Sequence, residues 1–325
     1  MSRNEDMNSN MTDRLEIQPG IGLALGGGMA RGFAHIGVMN VLRRHNIHPS
    51  VVAGTSIGSV IGACYLTNRL NEFTDWALSL NRLNILSYLD FRIRSAGMIG
   101  GNRLGKLLDE HFGDIQIEDL DHPYIALATD LATGHEVWLR DGSLVQAMRA
   151  SFALPGVFPP MERNGRFLID GALTNPVPVA PCLAMGARMT IAVDLHADVI
   201  GKATKPGEAY PTVAGFDMFD SQDISPAQQK KIKNPMARRL FRREDSDHPS
   251  LFGVMVSSLG IMMDRLTRSR LAGDPPDIHI KPKIGHIGLL EFEKAEELIA
   301  AGEDAALEVI DDIREAARVL LPPTS

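Results

Sequence analysis

The stretch Ile21-Gly22-Leu23-Ala24-Leu25-Gly26-Gly27-Gly28-Met29-Ala30-Arg31-Gly32 finds its counterpart in Val51-Val52-Ala53-Gly54-Thr55-Ser56-Ile57-Gly58. Each is a short apolar run, then a glycine-rich turn, then an amphipathic stretch, which reads as strand, tight turn and helix. The second turn is a G-x-S-x-G elbow framed by Gly54 and Gly58, which presents the Ser56 hydroxyl at a helix N-terminus. The first offers consecutive backbone N–H groups, also at a helix N-terminus, where the dipole favours an anion. A nucleophile and an oxyanion-binding loop on neighbouring parallel strands are two of the three parts that acyl transfer needs.

The third part is a base, and Asp170 is the candidate. Gly165-Arg166-Phe167-Leu168-Ile169-Asp170-Gly171-Ala172 reads as a strand that delivers its last residue into a glycine turn. Asn175-Pro176-Val177-Pro178 is then rigid loop, with Pro178 suited to the first turn of the next helix. An isolated Asp-Gly is ordinarily a turn; beside the other two motifs it reads as chemistry. An unperturbed Asp near pKa 3.9 is a weak base at neutral pH. A working Asp170 is therefore expected to be buried with few charged partners, since desolvation disfavours the carboxylate.

G-G-G-x-x-R-G, G-T-S-x-G and D-G-A in this order resemble the patatin-like phospholipases, in particular small bacterial members of the neuropathy-target-esterase branch. The resemblance covers roughly residues 19–200, with a weaker echo at Pro275-Pro276-Asp277-Ile278-His279-Ile280-Lys281-Pro282. It implies a three-layer α/β/α fold with a mostly parallel central sheet, and a lipid acyl hydrolase using a Ser–Asp dyad without histidine. Carried over by position, Ser56 is the nucleophile and Asp170 the base. Gly26, Gly27, Gly28, Met29, Arg31 and Gly32 form the anion-binding segment, Arg31 being the nearby cation. Gly54, Gly58, Gly171 and Ala172 support the motifs. Met29 departs from the pattern, because many members carry a further glycine there; which N–H groups face the substrate is left open.

Three other readings are weaker. An α/β-hydrolase triad needs a histidine after the acid; His196, His248, His279 and His286 all follow Asp170, and His196 at a strand end is the best placed. A dinucleotide fingerprint wants glycines at relative positions 1, 3 and 6 and a later acid; counted from Gly26 the sixth position is Arg31, and residues 46–53 contain no acid. A non-catalytic lipid-binding or regulatory module on the same fold is the alternative in a different class, and the intact Ser56 and Asp170 argue against it.

Strand and helix patterns alternate to about residue 198, which argues a mostly parallel sheet covered on both faces. Residues 1–16 read as a disordered tail without the apolar core of a secretory signal. Residues 17–198 read as the catalytic core, 199–249 as a polar and basic insertion long enough to be mobile, and 250–323 as helices and a strand completing the same domain. In the insertion Lys230, Lys231, Lys233, Arg238, Arg239, Arg242 and Arg243 reverse the local sign of a chain with net charge −7, a pattern suited to anionic lipid headgroups. No global basic footprint points to nucleic acid. Cys64 and Cys182 sit in apolar stretches and read as core thiols of a reducing compartment. No apolar run approaches the ~20 residues that span a bilayer, so the expected location is cytoplasmic, with peripheral contact at the inner membrane face. No metal-ligand spacing stands out and no cofactor is implied. Leu251 to Leu271 reads as a helix with Phe252, Met255, Leu259, Met262 and Leu266 on one face, either buried to close the core or, as the alternative, facing lipid beside the basic loop. Glu291 to Leu321 reads as one acidic amphipathic helix packed on the sheet. The apolar loop Ser151 to Pro160 reads either as a wall of an acyl pocket or as ordinary packing.

Overall fold

The computed structural model describes residues 20–81, 91–95, 97–99, 102–197 and 251–322. The expected tail and the insertion 199–249 with its seven basic residues lie outside them. Strand β1 (Ile21–Leu25) runs through the glycine turn and a 3-10 turn (Met29–Phe33) into α1 (Ala34–Arg44). Strand β2 (Val51–Thr55) gives α2 (Ile57–Leu66), then α3 (Leu70–Leu78), the hairpin β3 (Phe91–Ser95) and β4 (Gly97–Ile99), and α4 (Asn102–Phe112). Next come β5 (Tyr124–Asp130), β6 (Glu136–Leu139), α5 (Leu144–Ser151), β7 (Met161–Arg163) and β8 (Arg166–Asp170). The chain closes with α6 (Val179–Ala184), β9 (Met189–Val193), α7 (Leu251–Gly273), β10 (Ile278–Ile280), α8 (Ala295–Glu308) and α9 (Ile310–Leu320).

Eight strands form one sheet in the order β10-β9-β1-β2-β5-β8-β7, with β6 also on β5. From β10 to β5 all neighbours are parallel; β6, β7 and β8 pair antiparallel. The apolar runs serve both faces, as strands covered on each side require. Leu23, Leu25, Val52, Ile191 and Val193 belong to one core with Phe33, Ile36, Ile61 and Leu298. Their neighbours Ala24, Val51, Ala53 and Ala192 belong to a second core with Val177, Val179 and Cys182. Helices α1, α2 and α5 supply the first layer, with α8 packed behind α1, and α6 supplies the second. The result is a three-layer α/β/α sandwich.

The register of β5 decides where the site forms. Ala126 pairs with Gly54 and with Leu139, whereas Ala128 pairs with Asp170 and with Val137. A strand has only two edges, so β6 occupies one of them and β2 and β8 share the other, end to end. Thr55 faces Leu127 and Asp170 faces the next residue, Ala128. The antiparallel direction of β8, which the mostly parallel pattern does not foretell, is what brings the end of that strand onto the end of β2.

Two helices depart from expectation. The buried face of α7 is Val256, Met263, Asp264 and Thr267, while Met262 is 60% exposed. The stripe is turned by about one residue because two polar side chains, Asp264 and Thr267, take core positions. The acidic C-terminal segment breaks near Val309 into α8 and α9; α8 packs on α1, while α9 packs against β9 as a helix on the sheet. Glycines set that crossing. A Cβ at Gly302 would lie 1.9 Å from the Ala34 carbonyl oxygen, and one at Gly37 would lie 2.0 Å from that of Ile299. The weakly matching segment near residue 278 is β10, parallel to β9.

Candidate active site at the meeting of two strands

Ser56 has φ 54° and ψ −122°, a left-handed conformation that costs a non-glycine residue about 1–3 kcal/mol and persists only where surroundings impose it. They do so from both sides. The Ser56 N–H donates to Ser151 Oγ at 2.9 Å, and the Ser56 carbonyl accepts from Ser59 Oγ at 2.6 Å and from the Ser59 N–H at 3.0 Å. Thr55 Oγ1 donates to the Asn175 carbonyl at 2.8 Å, joining the elbow to the segment after β8. The elbow glycines permit close backbone approach: a Cβ at Gly58 would lie 2.2 Å from the Leu25 carbonyl oxygen.

Asp170 is 1% exposed. Its Oδ2 accepts from Ser56 Oγ at 2.7 Å, and its Oδ1 accepts from the Ala172 N–H at 2.8 Å. Burial pushes its pKa from the usual 3.8 to about 7, against the lowering effects of the Ala172 and Ser56 hydrogen bonds. Desolvation turns an ordinary carboxyl into a group balanced between acid and base near neutrality.

The glycine turn contributes less uniformly than its composition suggests. The Gly26 N–H donates to the Val193 carbonyl and the Gly27 N–H to the Pro176 carbonyl, so these two amides are engaged in the fold. Among the described residues the amides of Gly28 and Met29 have no such partner. Met29 has φ 52°, a left-handed position where glycine is the easier occupant. The substitution therefore keeps the loop path at the expense of strain, and its side chain lines the cavity. Gly32 is needed for packing, since a Cβ there would fall 2.3 Å from the Ile57 side chain. Arg31 is 6% exposed, and its Nε donates to the Ile287 carbonyl at 2.8 Å. That bond ties the loop to the segment at Ile287, and Arg31 is not among the described cavity-lining residues.

Sequence reasoning missed His35 and Ser151. Buried His35 has its pKa pressed down to about 4 by desolvation. The ring is therefore neutral at ordinary pH, and Nε2 donates to the Gly26 carbonyl at 2.7 Å. Neither residue stands in a recognisable motif; each is found only through its partner. The candidate triad histidines lie elsewhere. His196 is fully buried near Asp194, Arg31 and Asp264, with its pKa lowered to about 4 by burial. His279 Nε2 meets Asp194 at 3.3 Å and His286 Nε2 meets Glu297 at 2.6 Å; His248 is outside the described residues.

A cavity of about 140 Å³ opens from Ser56 and Asp170. The α2 side presents Ile57, Val60 and Cys64, and the α4 side presents Leu104, Leu107 and Leu108. Phe33, Phe73, Trp76 and Phe292 line it too, as do Phe152, Leu154 and Phe158 from the proline-rich loop. That loop is thus a wall of the cavity. Cys64 also faces it, its thiol pushed upward by burial. Among the described residues no helix is long and apolar enough to cross a membrane.

An uncharacterized NTE family protein of Mycobacterium tuberculosis is 35% identical over 350 residues, an alignment covering 93% of this chain and 96% of that protein. Residues 23–183 match the family described as Patatin-like phospholipase. The chain belongs to the patatin-like phospholipase family. Patatin-like phospholipase domain-containing protein 6 of Homo sapiens is 36% identical over 203 residues, covering 60% of this chain and 15% of that protein. The neuropathy target esterase of Drosophila melanogaster is 34% identical over 182 residues, covering 54% and 13%. Membership in the family supports lipid ester hydrolysis as the general chemistry.

Proposed function

We propose that the protein is a serine acyl hydrolase that cleaves lipid acyl esters, as a phospholipase A, lysophospholipase or carboxylesterase does, through a Ser56–Asp170 dyad. The observation that carries this reading is the 2.7 Å contact between two buried groups, Ser56 Oγ and Asp170 Oδ2. In the first half-reaction Ser56 Oγ attacks the ester carbonyl carbon as Asp170 Oδ2 takes its proton. The oxyanion is met by the Gly28 and Met29 amides. The tetrahedral adduct collapses, Asp170 returns the proton to the leaving alcohol oxygen, and an acyl-serine is left. Water then attacks that ester with Asp170 as its base, releasing the carboxylic acid and restoring the serine hydroxyl. The basic residues between 230 and 243 belong to this proposal as headgroup contacts.

A fluorophosphonate probe is expected to label the wild type and not Ser56→Ala, and the variant to hydrolyse short-chain esters at least about 10³-fold more slowly. Equal rates in the two proteins would sink the proposal. A smaller effect is expected at Ser151. Ser151→Ala leaves the buried Ser56 N–H without its acceptor, a loss of about 1–3 kcal/mol falling on a strained backbone. The kcat should drop by about tenfold or more with KM little changed, and Ser151→Thr should restore part of it. A change in KM alone would count against positioning.

A further inference from the structure

The geometry points to a substrate class set by acyl length: the cavity is a slot along α2 that accepts a medium acyl chain and ends at the Arg69–Glu72–His111 cluster. This rests on Ser56 being the nucleophile. Ser56, Ile57, Val60 and Cys64 line the cavity, and on a helix of 3.6 residues per turn these positions fall on one face. The slot therefore follows α2 from its N-terminus toward its C-terminus, with apolar side chains of α3 and α4 opposite.

Its far end changes character. Arg69, Glu72 and His111 also line the cavity; Arg69 Nη1 lies 3.5 Å and His111 Nδ1 3.7 Å from Glu72 Oε2. Their side chains are 35%, 57% and 47% exposed, so among the described residues this is where apolar enclosure stops and water begins. A methylene gains from leaving water only while apolar walls surround it, so carbons beyond the cluster add nothing.

Two magnitudes bound the chain. The ten residues of α2 rise about 15 Å at about 1.5 Å each. With C–C bonds of about 1.5 Å, an extended chain advances about 1.25 Å per methylene, so about 12 carbons span the slot. The enclosed volume is tighter, since an apolar cavity of about 150 Å³ holds one benzene ring and this one is about 140 Å³. The break in chain-length preference falls between about 6 and 12 carbons, short of the long chains of ordinary membrane lipids.

The test uses straight-chain alkyl fluorophosphonates, butyl through hexadecyl, each below its micellar concentration, with the full-length protein. Second-order labelling constants of Ser56 should rise about two- to fourfold per methylene up to the break and then flatten. Val60 is one turn along α2, about 6 Å from Ser56, so Val60→Phe should bring the break down to about 5 carbons. Cys64→Phe, one turn further, should give an intermediate break. A wild-type series that keeps climbing through hexadecyl overturns the inference without any variant. So does a break that stays put in both variants while Ser56 still labels. Failure of every probe to label the wild type would instead overturn Ser56 as nucleophile.

Discussion

Asp170→Asn is expected to lower kcat/KM by about 10³-fold or more and, in the same protein, to raise thermal stability above neutral pH. The two effects share one cause, a carboxylate 1% exposed. Its folded-state pKa of about 7 stands above the usual 3.8, so between those values the folded chain holds a proton that the unfolded chain has released. The stabilising contribution of the protonated acid is complete below the unfolded value and is lost as pH rises to the folded one. About three pKa units correspond to about 4 kcal/mol at about 1.36 kcal/mol each. Asparagine is neutral throughout and keeps one carbonyl oxygen for the Ala172 N–H. The melting temperature of the variant should therefore draw ahead of the wild type as pH rises from 4 to 7, then hold a constant lead. For the wild type, kcat/KM should fall with unit slope as pH drops through about 7, because protonated Asp170 accepts nothing from Ser56. A melting-temperature gap independent of pH, or an acid limb near pH 4, would show that the carboxylate is not desolvated as described.

Gly302→Ala should destabilise the protein by about 2–3 kcal/mol, although the same change in an isolated helix stabilises it by about 0.5–1 kcal/mol. The sign is decided by the α1–α8 crossing. The added methyl would sit 1.9 Å from the Ala34 carbonyl oxygen, and backbone on both sides leaves no flexible atom to yield. Separating the helices also disturbs the Arg44–Glu303 pair at 3.0 Å, a minor term at the surface. At about 2–4 °C per kcal/mol for a chain of this size, the melting temperature should fall by about 5–10 °C. A rise would mean that the crossing is looser than its glycines indicate.

The sequence disclosed those features whose cause is local. Glycines at 54 and 58 announce an elbow because only a residue without Cβ tolerates such backbone proximity, and Asp170-Gly171 announces a strand end for a similar reason. The runs at 21–25, 51–55 and 189–193 are apolar on both faces, which identifies covered strands. What stayed hidden depends on partners distant in the chain. Nothing in Arg166–Asp170 specifies that this strand runs antiparallel along the edge of β5 already used by β2. The need for Gly37 and Gly302 arises only where α1 and α8 cross. The buried face of α7 escapes hydrophobic periodicity because Asp264 and Thr267 are polar side chains in core positions. Ser151 and His35 have no pattern of their own, and the positive φ of Met29 is imposed by the loop path and is not signalled by its residue type.

Because β2 and β8 abut on one edge of β5, the proposed dyad joins residues 114 positions apart in the chain. At synthesis rates of about 5–20 residues per second, Ser56 precedes Asp170 from the ribosome by about 6–23 s. During that interval the serine has no base, and Thr55 lacks the Asn175 carbonyl that ties the elbow in place. On the proposed mechanism a nascent or prematurely terminated chain therefore carries a serine without its base. Ester cleavage, on that mechanism, awaits the docking of the second strand, so the order of synthesis itself would keep an unfinished molecule from attacking esters around it.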